Sequence, residues 1–414
     1  MTVPTTAIVI GDGVVGLSTA ISLQRRGIAT RVVAPDVAWE GASWGNAGHI
    51  ATEQVEPLAS IATIRSFPQR LFIRGGALSL PPRAISAWLP FALRLMKAST
   101  PSRFAKGRAA LSSALAVALP AWRELLQGAG RPDLLRESGH FVVWESPASA
   151  ARGRRRWSLA DTGTATVRDA TADELAHLGT LTTALIAGAI RFEGTGQIAD
   201  MHALGAVLKQ HFRALGGQFV HGKVTRVKGG SGASVGTEAG AELTADLVVI
   251  AAGAGSASLL APLGVRAPLI AERGYHMAVE DTHWPQDQQP VVFEDRSVIL
   301  TRFSHGLRAA SFVEFARTDT PADSRKWARL RDHVDALGLG FGETRRQWIG
   351  ARPTLPDYLP ALGRLPDTPQ IAYAFGHQHL GLTLAPATGE ALAARIAGEV
   401  PAFDLAPFDL KRFS

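Results

Sequence analysis

The most constraining part of this chain is residues 5–20, Thr-Thr-Ala-Ile-Val-Ile-Gly-Asp-Gly-Val-Val-Gly-Leu-Ser-Thr-Ala. A short apolar run, Ala7 to Ile10, suits a strand buried on both faces. Gly11-x-Gly13-x-x-Gly16 follows, and then a helical pattern runs to Arg26. Strand, glycines and helix in that order are the context that a dinucleotide fingerprint requires. Gly11 permits the tight turn, Gly13 lets the backbone approach a pyrophosphate, and Gly16 lets the helix pack close to the strand. Ala20, one helical turn beyond Gly16, keeps that face small. The helix N-terminus offers N–H groups and partial positive charge to phosphates. The stretch therefore predicts an α/β fold that holds a dinucleotide.

The usual partner of such a fingerprint is an acid about 20 residues on, which holds the adenosine ribose. Ala34 stands near that position in the second strand, Thr30-Arg31-Val32-Val33-Ala34, and its side chain cannot accept a hydrogen bond. Asp36, two residues further, is the candidate replacement.

At 414 residues the chain is long enough for two domains. Hydrophobic content of 46% with 19% charged residues describes a globular protein rather than a disordered one. The absence of cysteine excludes disulfides, thiolate-held clusters and a cysteine-linked flavin. The first basic residue is Arg25, and residue 7 already belongs to a strand, so no secretory signal is expected. Nor is any uninterrupted apolar run long enough to span a bilayer. A cytoplasmic location is the expectation.

The net charge of +7 is unevenly distributed. Residues 57–123 contain no acid but carry Arg65, Arg70, Arg74, Arg83, Arg94, Lys97, Arg103, Lys106, Arg108 and Arg123. Such asymmetry points to an anionic partner or surface, or more plainly to a solvated face. Within it, Trp88, Leu89, Phe91, Leu95 and Met96 mark a helical apolar stripe over residues 84–97, with Pro90 expected to kink or break it. Residues 109–126 read as a second helix.

Further on, residues 138–145 and 187–192 read as strands. A helix follows Asp200 and is stopped by Gly216-Gly217. Residues 218–227 read as one strand, and residues 246–255 as a buried strand ending in glycines. Residues 266–350 alternate in the manner of antiparallel strands. Asp295 and Glu314 among them are expected to be solvated or turn residues. A strand at residues 371–375 leads to Gly376-His377-Gln378-His379-Leu380-Gly381-Leu382-Thr383 and a final helix, with Pro386 near its first turn. No metal-ligand spacing and no phosphate-loop Gly-Lys-Ser/Thr occurs, so no metal is expected.

Four motifs, in order, are Gly11 to Ala20, Gly45-Asn46-Ala47-Gly48, Gly350-Ala351-Arg352-Pro353 and the stretch from Gly376-His377 to Pro386. Together they make the chain resemble the FAD-dependent amine and amino-acid oxidoreductases of the D-amino-acid oxidase superfamily, above all the bacterial D-amino-acid dehydrogenases of small-subunit type. The resemblance implies a discontinuous FAD-binding domain of glutathione-reductase type with an inserted α+β substrate domain built on an antiparallel sheet. It divides the chain into an FAD-binding part (1–75, 195–265 and 350–414) and a substrate part (76–194 and 266–349). For FAD it implies contacts from Gly11, Gly13, Val14, Val15, Gly16, Asp36, Ser43, Gly45, Asn46, Ala47, Gly48, Val224, Ala252, Gly253, Gly376, His377, Gly381, Leu382 and Thr383. Without cysteine, FAD is expected to be held non-covalently, a histidyl link being the alternative. The family commonly has an acid where Ala34 stands, and relatives differ at His49, so substrate choice cannot be copied from them.

Amino-acid dehydrogenation needs a hydride acceptor, a grip on the carboxylate and a neutral amine. Arg352 matches the family's Arg-Pro motif, and its planar fork suits a carboxylate. Tyr275, His276, His379, His377 and His49 are each candidates to order the substrate or take its proton, although desolvation or water can also neutralise an amine. The resemblance implies a small amino-acid substrate, of D-configuration and with D-proline or hydroxyproline in view. Electrons would pass to a quinone or an electron-transfer protein, and the basic segment would give peripheral contact with an anionic membrane on its inner face. The alternative is an oxidase of secondary amines or N-substituted glycine that uses oxygen. A nucleic-acid role is not expected, because the basic segment contains no recognised module.

Overall fold

The structure is a computed structural model and describes residues 3–35, 41–230, 232–341 and 346–413. Asp36 lies outside the described residues.

A six-stranded sheet forms the first layer, in the order Gln218–His221, Ala29–Ala34, Thr6–Ile10, Leu247–Ile250, Ile371–Phe375 and Ala361–Arg364. Its first five strands are parallel and the last is antiparallel. Ala7, Ile8 and Val9 are wholly buried, as a continuous apolar run in a sheet covered on both faces must be. One face is covered by the helices Val14–Arg25, Met201–Ala214 and Gly381–Ala397. The first and last of these approach closely at Gly389, where a Cβ would lie 2.8 Å from the Thr19 nitrogen. On the other face, side chains such as Val235, Leu260 and Leu410 complete a second core. A three-stranded antiparallel sheet, Val224–Gly229, Ala233–Thr237 and Glu242–Ala245, stands beside it. The single strand expected over residues 218–227 is thus two strands in two sheets. The chain turns between them at Gly222, whose N–H donates to Ala34 O at 2.9 Å.

The second layer is a nine-stranded, mainly antiparallel sheet. Its order is Arg346–Thr354, Ile270–Val279, Gly306–Ala316, Val298–Phe303, Val291–Phe293, His140–Trp144, Gly188–Glu193 and Thr166–Asp169, with Leu78–Ser79 beside Gly306–Ala316. The helix Ser324–Ala336 seals one face through Leu330 and Val334, against Tyr275, Met277 and Phe312. Arg352 sits on the edge strand Arg346–Thr354, so this sheet runs past the boundary expected at residue 350. A small sheet pairs His49–Ile50 with Gly196–Ile198 and Leu135–Arg136.

Three expectations for the acid-free segment change. The helix Ile85–Ala98 continues through Pro90 without a break. Residues 109–126 belong to two helices, Pro101–Ala116 and Ala118–Gly128, which meet at Val117. Pro101–Gly128 as a whole is long and apolar enough to cross a membrane by length and composition, but half of its most apolar 18-residue window is buried inside the fold. The expected stripe also divides. Phe91 and Leu95 are buried and Trp88 half-buried, with its Nε1–H on Pro81 O, whereas Leu89 and Met96 join Ile85 and Leu93 on an exposed face.

Glu314 is not solvated. It is buried with Arg273 and Lys326, and it accepts from the Tyr275 hydroxyl at 3.1 Å. Asp295, in contrast, is a turn residue that accepts from Glu145 N and Ser149 Oγ.

Candidate functional site

The turn after Thr6–Ile10 shows why its glycines are needed. Gly11 has φ +109°, and a Cβ there would lie 2.5 Å from Ala251 O. A Cβ on Gly16 would lie 2.0 Å from Gly11 O, so only glycine lets the helix pack onto the turn. Gly13 caps the helix with its backbone alone, and no acid stands in the first turn. The partial positive charge of that helix end is thereby left for an anion. Val14 N donates to Ser43 Oγ at 3.0 Å, which brings the second expected segment to the same place, beside Val15. Asp12 is held away on Lys209 at 2.7 Å. Ala252 and Gly253 follow the strand Leu247–Ile250, the neighbour of Thr6–Ile10, and Val224 opens the small antiparallel sheet just past Gly222.

A second cradle forms where residues 45–48 meet the start of the last helix. Gly48 has φ +78°, and its N–H donates to Asn46 Oδ1 at 2.9 Å. Arg308 donates to Trp44 O and Asn46 O, and Ala47 lies within the same turn. Across from it, Gly376 has φ +78° and turns the chain out of the strand Ile371–Phe375. The helix Gly381–Ala397 begins with no side-chain cap and no acid in its first turn. Ala51 N donates to Thr383 Oγ1 at 2.9 Å, and Trp122 Nε1–H donates to Leu382 O at 3.0 Å. These two bonds tie the loop segment and the helix start together. Pro386 is the sixth residue of this helix, one turn deeper than expected.

Strand register decides which residues of the large sheet share this region. Glu272, Gly274 and His276 pair with Arg352, Gly350 and Trp348. His276 Nδ1 donates to Gly45 O at 3.0 Å, and its ring stacks on Trp348 at 4.9 Å. Trp348 in turn lies where a Cβ on Gly45 would come within 2.2 Å. Arg352 crosses over Gly274, which has no Cβ to obstruct it. Its Nη1 donates to Glu272 Oε1 at 3.5 Å and Phe312 O at 3.3 Å, and its side chain remains 28% exposed. Glu272 also accepts from Thr354 and from the Tyr358 hydroxyl, each at 3.2 Å. The Tyr358 ring stands 6.4 Å from that of His379.

The candidate acid–base residues separate by environment. Burial, and then Arg308, push His276 down to about 3, so it is neutral. His379 is brought down to about 4 by burial, then by Arg352, with Glu53 acting in the opposite direction. His377 is buried and brought down to about 3, and its Nε2–H meets Thr388 Oγ1 at 3.1 Å. That threonine hydroxyl already donates to Leu384 O, so His377 braces the last helix. Tyr275 was expected to face the same site as His276, but strand alternation turns it to the opposite side. There it bonds Glu314 and Asp323 N beneath the helix Ser324–Ala336, with its hydroxyl raised to about 12, chiefly by burial. His49, directly after Gly48, lies against Glu53 and His140, a grouping that no local spacing announces.

The DAO family, described as FAD dependent oxidoreductase, matches residues 6–395. The chain belongs to this family. FAD is accordingly its cofactor. Among curated relatives, a D-amino-acid oxidase of Bradyrhizobium diazoefficiens is 31% identical over 98% of each chain. A D-amino acid dehydrogenase 2 of Pseudomonas aeruginosa is 32% identical over 96% of each. The fold is similar to that of glycine oxidase from Geobacillus kaustophilus (TM-score 0.71, 22% identity, 99% of this chain and 98% of that one). It is also similar to iminodiacetate oxidase from Chelativorans (TM-score 0.70, 19% identity, 97% and 98%).

The residues present fit FAD. A Cβ at Gly11 or Gly16 would block the close turn, and two helix N-termini are left without acids or side-chain caps. Sequence reasoning missed Glu272, Tyr358, Arg308 and Trp348. Of these only Trp348 carried a signal, two residues before Gly350 on the same alternating strand.

Proposed function

We propose that the chain dehydrogenates a D-amino acid. The α-hydrogen and its electron pair would be taken up by FAD held in the two cradles, and the imine so formed would be hydrolysed to the 2-oxo acid. A D-proline or hydroxyproline type of substrate would give a cyclic imine instead. Bound FAD supplies the two-electron acceptor. Gly11, Gly13, Val14, Val15, Gly16 and Ser43 would hold its pyrophosphate. Gly45 to Gly48 and Gly381 to Thr383 would hold its ring system, where the dipole of the last helix favours negative charge.

The single observation that carries this reading is Arg352. Its guanidinium enters the region beside the Gly45–His276–Trp348 stack, yet among the described residues it is held by long contacts to Glu272 and Phe312 O. A substrate carboxylate can therefore complete its bonding. The names of the two curated relatives support the D-amino-acid assignment. The deciding experiment is anaerobic bleaching of the bound flavin by a panel of D- and L-amino acids and N-methyl amines. Bleaching by L-amino acids alone, or by none of the panel, contradicts the proposal.

Electrons would pass on to a quinone or an electron-transfer protein. The exposed face of Ile85, Leu89, Leu93 and Met96, with Arg83, Arg94 and Lys97 nearby in sequence, supports an anionic membrane as the meeting place. A second reading, an oxidase of secondary amines or N-substituted glycine using oxygen, is favoured by the fold's likeness to glycine oxidase and iminodiacetate oxidase. Reoxidation of the bleached flavin by oxygen as fast as by a soluble quinone would select it.

A further inference from the structure

We propose that His49, Glu53 and His140 form a buried proton-accepting relay beside the substrate site, in which His49 Nδ1 takes a proton from the substrate ammonium group and Glu53 supports the imidazolium so formed. This rests on the amine-oxidation reading above and adds residues that the family resemblance did not supply.

The three side chains come from distant parts of the chain. His49 follows Gly48 and lies two residues before Ala51, whose N–H is bound to Thr383 at the start of the last helix. Glu53 comes four residues after His49. His140 begins the strand His140–Trp144 of the large sheet. His49 Nε2 and Glu53 Oε1 are 3.3 Å apart. The His49 and His140 rings meet edge to face at 4.4 Å. The donor atoms of all three residues lie within 4.8 Å of one another. His140 is fixed in turn, stacked on Phe192 at 4.5 Å, with Nδ1 2.9 Å from Thr195 Oγ1.

Glu53 is 3% exposed, and among the described residues its ion-pair partner is His49. A carboxylate so buried needs a hydrogen-bond donor close by, which the neutral His49 supplies through its Nε2–H. Two buried atoms of the group, His49 Nδ1 and Glu53 Oε2, have no hydrogen-bond partner among the described residues. Leaving both unpaired would cost a purely structural pair dearly. The arrangement instead matches an imidazole base oriented by a carboxylate on one nitrogen and open on the other. The other candidates are less suited: His276 spends its Nδ1–H on Gly45 O, and His377 is turned onto Thr388.

The charged groups around the relay are few. Glu53 feels His49 and His140, and His140 feels His49 and Glu53. His379, from the turn before the last helix, feels both Arg352 and Glu53, so the carboxylate-gripping residue and the relay bear on the same buried ring. Burial, with His49 next, brings His140 down to about 3, so it stays neutral and serves as a dipole behind the pair.

The step balances without a further reagent. The ammonium N–H proton passes to His49 Nδ1, while the Nε2–H stays directed at Glu53. The nitrogen lone pair then forms the C=N bond as the α-hydrogen leaves with its electron pair to FAD. The proton returns to water on product release.

The test compares wild type with Glu53→Gln and His49→Gln, each checked for FAD content. At saturating amino acid under anaerobic conditions, flavin reduction at pH 7 should fall by about 100-fold in both variants. It should recover towards wild type at alkaline pH, where the amine is already neutral. A uniform fall with an unchanged pH profile would make the group merely structural. An independent readout is the ¹⁵N-histidine spectrum of the holoenzyme without substrate, in which Glu53→Gln should shift the His49 Nε2 signal by removing the carboxylate that its N–H meets. A His49 Nε2 signal indifferent to Glu53, or one equivalent of a bound divalent metal in wild type that is lost in Glu53→Gln, overturns the relay. If no amine bleaches the flavin while the His49–Glu53 coupling is present, the amine-oxidation reading fails, and the relay's substrate with it.

Discussion

Arg352 and Glu272 stand directly opposite each other on adjacent antiparallel strands, yet their charged ends meet at 3.5 Å, longer than a full charge-assisted hydrogen bond. The carboxylate is shared with Thr354 and Tyr358, so the guanidinium is oriented without being saturated. Replacing Arg352 with Met should raise the amino-acid concentration for half-reduction by a factor equivalent to roughly 2–5 kcal/mol. FAD content should not change. Unaltered affinity in anaerobic titrations would assign the carboxylate to another residue.

Gly45 is pressed against an indole. A Cβ there would lie 2.2 Å from the Trp348 ring, and His276 holds the Gly45 carbonyl in place. Gly45→Ala must displace the loop or Trp348, at a cost of about 1–3 kcal/mol. Faster loss of FAD on dialysis should result. Gly179→Ala, with open space around it, is the control and should retain FAD normally. Equal retention by both variants would show that the loop yields freely.

Acid should destabilise the protein early. Burial, as the leading cause, brings His140, His276 and His377 each down to about 3. In the unfolded chain they would titrate near 6.5. The unfolded state therefore binds more protons between these values, and stability falls as pH falls. Each group contributes up to about 1.4 kcal/mol per pH unit in that window. Glu53, which His49 holds down at about 2 against the effect of burial, adds a loss of the same sign below the carboxylate range. Thermal denaturation should show a level Tm above pH 7 and a decline from pH 6.5 downwards. A Tm constant from pH 7 to 5 would contradict this.

FAD should be released by acid. The chain has no cysteine, and among the histidines at the site His276 and His377 are engaged with Gly45 O and Thr388. Trichloroacetic acid should leave a yellow supernatant and a colourless pellet. A yellow pellet would indicate a covalent link through a histidine.

Docking at a membrane should depend on the exposed rather than the buried side of the helix Ile85–Ala98. Leu89→Asp with Leu93→Asp should reduce co-sedimentation with anionic vesicles at low salt, because both side chains are exposed. Phosphatidylcholine vesicles should bind neither protein. Equal sedimentation of wild type with anionic and neutral vesicles would remove the membrane as the meeting place.

What could be read from sequence was local. The strand, the three glycines and the first helix depend on contacts within a few residues, and the strand Ile371–Phe375 carries its own apolar run. The Gly45 to Gly48 and Gly376 to Thr383 segments were found by resemblance, and Arg352 by its neighbour Pro353. What escaped depends on register and distant pairing. Tyr275 and His276 are adjacent, so one had to face away, and the pairing with Trp348 and Arg352 decides which. Glu314 looked solvated because Arg273 and Lys326 reach it from another strand and a helix. His140 meets His49 and Glu53 only after the small sheet has brought Gly196–Ile198 against His49–Ile50.

The strand Leu247–Ile250 lies between Thr6–Ile10 and Ile371–Phe375, and Asp246 binds Thr5 across a separation of 241 residues. A ribosome making this chain thus emits the turn at Gly11 to Gly16 long before the helix that packs against its helix. Until Gly381–Ala397 emerges, the first helix lacks the partner that packs against it at Thr19. Nascent chains arrested before residue 381 should for that reason be unable to retain FAD.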